Sequence, residues 1–192
     1  SILQLLPKQT TVKGEIIFNN GKPESLLQLT EKKITGFRGN KIAMIFQEPM
    51  TSLNPVFTCG YQVMEAIRLH EAVTREIAKQ KAIKLFEQVN LPNPESLLSR
   101  YPHELSGGQK QRVMIAMAMS CNPSLLIADE PTTALNVTGQ KKILELIRLL
   151  QQQNGMGVML ITHDLGVVAD IADKIIVMYK GQIVEQGKAK EI

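Results

Sequence analysis

Asp129 and Glu130 close the apolar run Leu125-Leu126-Ile127-Ala128, and adjacent carboxylates at the end of such a run can divide two tasks between them. One acid can hold a hydrated magnesium ion and the other can polarise a water, which together is what hydrolysing a nucleotide requires. Successive strand residues face opposite ways, so the pair need not share one job: Asp129 suits the metal, through water, and Glu130 the attacking water. His163 follows another apolar run, residues 158–161, where an imidazole could bond a phosphate oxygen and orient its neighbours. Gln47, after the apolar residues 42–46, offers a neutral amide able to touch magnesium or water without adding charge.

Ser106-Gly107-Gly108-Gln109 precedes a helical run reaching about residue 119. The start of a helix carries unpaired N–H groups and about half a positive charge, and glycines let a phosphate approach the backbone. Each element has a plainer reading when taken alone. Asp-Glu can be a surface pair, Ser-Gly-Gly a helix cap with flexible glycines, and a lone histidine an ordinary surface side chain. Their joint occurrence, in this order, favours a nucleotide site. His70 and His103 have no comparable setting and read as structural or surface residues, and Met114, Met117 and Met119 as helix packing.

These groups need elements that carry them to one place. Residues 12–18 alternate like a strand, Asn19-Asn20-Gly21 offers a turn into a hairpin partner, and residues 25–33 look like short helical material. Residues 41–46 form a second strand, stopped by Pro49. From Tyr61 to about Asn90 the apolar spacing becomes helical, broken near Thr74, with Pro92, Pro94 and Pro102 punctuating the exit. The remainder alternates strand and helix: strands at 125–128, 158–162 and 174–178, helices at 137–153 and 165–172. A final hairpin turns at Lys180-Gly181 onto residues 182–185. Such alternation argues for a parallel sheet with crossover helices. The expected division is an α/β core from residues 1–50 and 121–192, with a helical insert over 51–120.

The chain has 192 residues, 44% of them hydrophobic, and a net charge of +4 spread over helical faces mixed with acids. That distribution argues against a nucleic-acid stripe. The longest apolar run, residues 113–119, is far too short to span a membrane, so a membrane role would come through a partner. Cys59 and Cys121 lack CxxC spacing, which suits a reduced, cytosolic protein. The sequence opens on Ser1, with residues 1–6 resembling the last turns of a helix, and reads as an excerpt of a longer chain.

The motifs resemble those of the ATP-binding-cassette (ABC) ATPases over essentially the whole chain. Leu105-Ser106-Gly107-Gly108-Gln109 is similar to that family's signature, residues 125–130 to its Walker B strand, Gln47 to its Q-loop and His163 to its switch histidine. Residues 45–55 further resemble the branch serving dipeptide, oligopeptide and nickel importers. The resemblance implies a P-loop NTPase fold, with a RecA-like α/β core, a helical insert and the amino-terminal part missing. It implies ATP and Mg2+ as cofactors, with Glu130 and His163 catalytic, Asp129 and Gln47 at the metal, and Gln47, Ser106, Gly107, Gly108 and Gln109 at the nucleotide. The implied partners are a second ABC ATPase, identical or paralogous, arranged head to tail, and transmembrane permease subunits. An extracytoplasmic substrate-binding protein would be engaged indirectly, and the location would be the cytoplasmic membrane face.

Two departures stand out. No G-x-x-x-x-G-K-[ST] occurs, so the loop that cradles the β- and γ-phosphates is absent and these residues alone are expected to be inactive. Asn136 stands where the family's D-loop has an aspartate, which keeps the size and an acceptor but loses the charge. A nucleic-acid ABC ATPase would need a coiled-coil or zinc insertion, and the insert has neither heptads nor Cys pairs. A catalytically dead docking module is opposed by Glu130 and His163, although the missing loop and Asn136 favour it.

Overall fold

The computed structural model describes residues 2–7, 9–47, 52–133 and 135–191, with the backbone alone for Val167, Ala169 and Asp170. The Pro49 stop, Ser1 and Ala134 of the D-loop tripeptide lie outside the described residues. At the centre is a parallel three-stranded sheet of β3 (Ile42–Ile45), β4 (Leu125–Asp129) and β5 (Gly157–Ile161), in the order β3-β4-β5. β4 is flanked on both edges, and its Leu126, Ile127 and Ala128 are all buried, as an uninterrupted apolar run in a parallel sheet should be. β5 is apolar too, yet Met159 and Ile161 remain more than two-fifths exposed. Among the described residues it pairs on one edge, with β4, and that outward face has little to pack on.

Two antiparallel hairpins flank this sheet in sequence. β1 (Ile17–Asn19) pairs with β2 (Pro23–Ser25), a much shorter first strand than residues 12–18 suggest. β6 (Lys174–Tyr179) pairs with β7 (Gln182–Lys188) across Lys180 and Gly181, both at positive φ, as a tight hairpin turn requires. Residues 2–3 form a turn, not the helix end that the sequence suggests. A 3-10 turn (Leu26–Gln28) and α1 (Glu31–Thr35) supply the expected short helical material.

The insert contains α2 (Cys59–His70), α3 (Arg75–Gln88), the single turn α4 (Pro94–Leu97) and α5 (Gly107–Ala118). Thr58 and Thr74 cap α2 and α3 by accepting from Tyr61 N and Ile77 N, and the extended segment 72–74 separates the two helices. α5 packs on α2 and α3 and also on β3, burying Val113, Met114, Ile115 and Ala116. One apolar cluster therefore runs from Val63, Phe86 and Leu97 through α5 to Ala43, Ile45 and Leu126, and on to Ile143 and Leu150 of α6 (Val137–Asn154). α7 (Leu165–Ile171) completes the elements. A smaller cluster of Leu26, Ile34, Phe37, Ile42 and Ile127 packs the first hairpin and α1 on the sheet.

The start of α2 is held against the loop at 98–100, where Cys59 N donates to Arg100 O at 2.8 Å and Gly60 N to Leu98 O at 3.2 Å. A Cβ on Gly60 would lie 2.6 Å from the Leu98 Cα and carbonyl oxygen, both backbone atoms with no rotamer to yield. Gly60→Ala should therefore destabilise the chain by about 1–3 kcal/mol, an overpacking penalty. Urea unfolding checks this, and an unchanged midpoint would show that the two segments separate freely.

Candidate functional site

The register of the parallel sheet determines which side chains meet. Ile45 is level with Ala128, so two residues further along both chains Gln47 comes level with Glu130. On the other edge Asp129 is level with Ile161, so Glu130 comes level with Thr162, immediately before His163. Glu130 N still donates to Ile161 O at 2.9 Å, which ties the first residue past β4 to the end of β5. The carboxyl ends of three neighbouring strands thus carry an amide, an acid and an imidazole to one point, where open α/β sheets place their ligands.

The contacts are direct. Gln47 Nε2 donates to Glu130 Oε2 at 3.0 Å, and His163 Nδ1 lies 2.9 Å from Glu130 Oε1. An ionised carboxylate only accepts, so Nδ1 carries the hydrogen and Nε2 is left facing outward on a side chain 79% exposed. Glu130 itself sits at φ +44°, a left-handed conformation uncommon for a residue with a side chain. Backbone strain of this kind typically costs about 1–3 kcal/mol and persists where the surroundings over-determine it. Here the pinned amide, the following Pro131 and the donors around the carboxylate do so. Hydrogen bonding from His163, then from Thr133, holds the Glu130 carboxyl below the usual range against an opposing desolvation, with the His163 charge and Gln47 adding smaller lowering effects.

Thr133 escaped the sequence reading. Its hydroxyl donates to Glu130 Oε2 at 2.8 Å, and its N–H to the Glu130 carbonyl at 3.3 Å, closing a turn through Pro131. The available signal was local: a hydroxyl three residues after an acid, with proline second, is a turn that folds back on its first residue.

Asp129 ends β4, one residue short of this cluster. Because Gln47 spends its Nε2 on Glu130, its Oε1 is the atom left for a cation. An amide oxygen and a carboxylate are the hard donors that magnesium prefers, so the residues fit that ion. Among the described residues no three His, Cys, Asp or Glu side chains cluster to hold a metal by themselves.

Ser106, Gly107, Gly108 and Gln109 form a separate feature at the start of α5. Ser106 Oγ accepts from Gln109 N at 3.3 Å and Gln109 Oε1 accepts from Ser106 N at 3.0 Å, a reciprocal capping box. No hydrogen bond among the described residues joins these four to the Glu130 cluster. A Cβ on Gly108 would meet nothing within 4 Å, and one on Gly107 only the tip of Leu135 at 4.0 Å. Packing within the chain thus demands neither glycine, although each weakens a helix by up to about 1 kcal/mol relative to alanine. Asn136 caps α6, its Oδ1 accepting from Gly139 N at 2.9 Å, a role an aspartate fills equally well.

A family model described as ABC transporter matches residues 1–133. The probable peptide ABC transporter ATP-binding protein y4tR of Sinorhizobium fredii is 55% identical over 194 residues, covering 100% of this chain and 57% of that protein. The glutathione import ATP-binding protein GsiA of Salmonella typhi is 55% identical over 181 residues, covering 93% of this chain and 29% of its own length. The chain thus spans little more than half of one relative and under a third of the other. Among solved structures, a dimeric post-hydrolysis state of the ATP-binding cassette MJ0796 bound to ADP and Pi superposes with a TM-score of 0.79 at 29% identity, covering 92% of this chain and 74% of that one. The cbiO1 protein of Clostridium perfringens, part of the cbiONQ ABC transporter complex, gives 0.75 at 26% identity, covering 91% and 66%.

The hydrogen bond from His163 is the largest influence lowering the Glu130 carboxyl. His163→Ala should therefore move that carboxyl's titration upward, toward the ordinary glutamate range. Carbon-detected NMR of the Glu130 side chain reads this directly, and a titration that stays in place would mean that the ring contributes nothing.

Proposed function

The chain belongs to the ABC transporter family, and from that membership we propose that it is part of an ATP-hydrolysing subunit that powers the import of peptides, glutathione among them, through membrane-embedded partner subunits. The observation that carries the reading is the Glu130 carboxylate, ionised and held by Gln47, Thr133 and His163 at the carboxyl edge of the parallel sheet. Of the cargo classes read from the sequence, the relatives cited name the peptide one. No helix among the described residues is long and apolar enough to cross a membrane, so passage of cargo falls to partners.

The residues divide the work as follows. Glu130 polarises the attacking water, its carboxylate fixed by hydrogen bonds from His163, Thr133 and Gln47 so that an open lone pair can accept from that water. His163 steadies Glu130 through Nδ1 and presents Nε2 toward the γ-phosphate, donating to it when the ring carries both hydrogens. Asp129 and the Gln47 carbonyl would hold the magnesium, which would neutralise phosphate charge as it develops. Gln47 would then report metal occupancy to Glu130, because the same amide donates to Glu130 through Nε2.

Ser106, Gly107, Gly108 and Gln109 serve a second protomer. The open space over Gly108 at the start of α5 suits a phosphate held by a neighbouring cassette, an arrangement that needs a head-to-tail pair; the dimeric relative supports pairing of two cassettes. Residues 51–120 then form the lever between sheet and permease, with residues 1–50 and 121–192 as the nucleotide-binding core. Phe57 and Tyr61, stacked 4.8 Å apart and about two-fifths exposed, suit a permease contact on that lever.

In the full-length subunit, Glu130→Gln should lower ATP turnover at least about a hundredfold while leaving nucleotide binding intact, the behaviour of a lost transition-state interaction. Residues 1–192 by themselves should show no Glu130-dependent ATPase, since they contain no phosphate-cradling loop and one lost electrostatic donor already costs about 10²–10³ in rate. Steady-state phosphate release measures both. Wild-type turnover in the variant, or Glu130-dependent release by residues 1–192, would contradict the proposal. Asn136→Asp, which preserves the helix cap, should raise transport-coupled hydrolysis in the full-length protein, and an unchanged rate would show that the lost charge is without effect.

A further inference from the structure

We propose that Thr133 is a positioning residue that, together with Gln47, fills both lone pairs of Glu130 Oε2 and so makes Oε1 the oxygen that receives the hydrogen of the attacking water. The inference rests on the reading of Glu130 as the water-polarising group and adds which of its oxygens acts, and why.

A carboxylate oxygen offers two lone-pair directions. Oε2 accepts from Gln47 Nε2 at 3.0 Å and from Thr133 Oγ1 at 2.8 Å, so both of its directions are used. Oε1 accepts from His163 Nδ1 at 2.9 Å, which leaves one direction open, beside the imidazole whose Nε2 would meet the phosphate. The open lone pair is thus on the oxygen next to the reacting group.

The turn makes this arrangement rigid. Glu130 and Thr133 are its first and last residues, Pro131 presets the bend, and Thr133 N–H closes it on the Glu130 carbonyl. The Thr133 hydroxyl also lies 3.2 Å from that carbonyl, but its single hydrogen goes to the nearer, charged oxygen. Without the hydroxyl, Glu130 loses one of the donors that fix the plane of its carboxylate, and partial rotation about its terminal bond would turn the open lone pair away from the reacting group. The share of molecules with a correctly aimed lone pair would fall, while contacts to nucleotide elsewhere would not change.

The test compares Thr133→Val, which keeps the branched shape and removes the hydroxyl, Thr133→Ser, which keeps the hydroxyl, and Thr133→Ala. All are made in the full-length subunit beside Glu130→Gln. Val and Ala should lower kcat for ATP about tenfold or more, as loss of a hydrogen bond to a charged group does, with KM within twofold of wild type. Ser should restore kcat to within about threefold of wild type. If Glu130→Gln is inactive while Val and Ala turn over like wild type, or Ser is as slow as Ala, or the loss falls on KM, then Thr133 has no positioning role although Glu130 keeps its own. If Glu130→Gln itself turns over normally, the reading beneath the proposal fails and the proposal with it. Should Val fail to fold, Ala against Ser decides.

Discussion

An ionised carboxylate that donors from three strand ends must reach within 3 Å constrains most of this molecule. The strands must be parallel, adjacent and in the register that brings Gln47, Glu130 and Thr162 level. A one-residue slip on either edge would turn one donor to the opposite face of the sheet. β4 has to be central, which requires an apolar run buried on both faces; Leu126, Ile127 and Ala128 supply it, and the two acids follow where that run emerges. The left-handed backbone at Glu130 is a consequence of this demand, because the chain must leave β4 and aim a carboxylate back across the strand ends in one residue.

The same core links this point to the helical insert. α5 touches α2 and α3 on one side and β3 on another, and β3 leads within two residues to Gln47. Its amino terminus is the Gly107-Gly108 start. A shift of α5 would therefore be felt at two ends at once, at the glycines directly and at Gln47 through β3. Interiors packed to crystal-like density transmit such shifts, because no slack absorbs them. The sheet and the helices beside it thus share one cluster that includes Ile45, Ile115 and Val113.

Much of this was legible in the sequence, for identifiable reasons. Residues 125–130 announced a buried strand with an acidic tip because parallel strands are apolar throughout. Ser106 reads as a helix cap and is one, because a short polar side chain satisfies free N–H groups there, and the break near Thr74 falls where that residue caps α3. What stayed hidden depends on three-dimensional pairing. Strand alternation over residues 12–18 overstated β1, since β-like patterning without a partner yields no ladder, and β2 offers only three residues. Residues 158–161 read as an apolar strand and form one, but the exposure of Met159 and Ile161 depends on β5 being covered, among the described residues, on one edge only. That the Gln109 side chain caps α5 depends on its reciprocal pairing with Ser106. Thr133 was missed because its importance lies in a turn closing on itself, which only the local Glu-Pro-x-Thr spacing marks, with neither periodicity nor charge to add to it.

The central claim is that the Glu130 carboxylate takes its hydrogen from His163 Nδ1. Nitrogen-15 NMR of the imidazole within residues 1–192 tests it most directly, because the two ring nitrogens report which of them carries the hydrogen. The account requires the Nδ1–H form in the wild-type chain and a return to the Nε2–H form usual for free histidine in Glu130→Ala. A ring already in the Nε2–H form in the wild type would mean that the strand ends do not converge on this acid, and the site would have to be rebuilt without it.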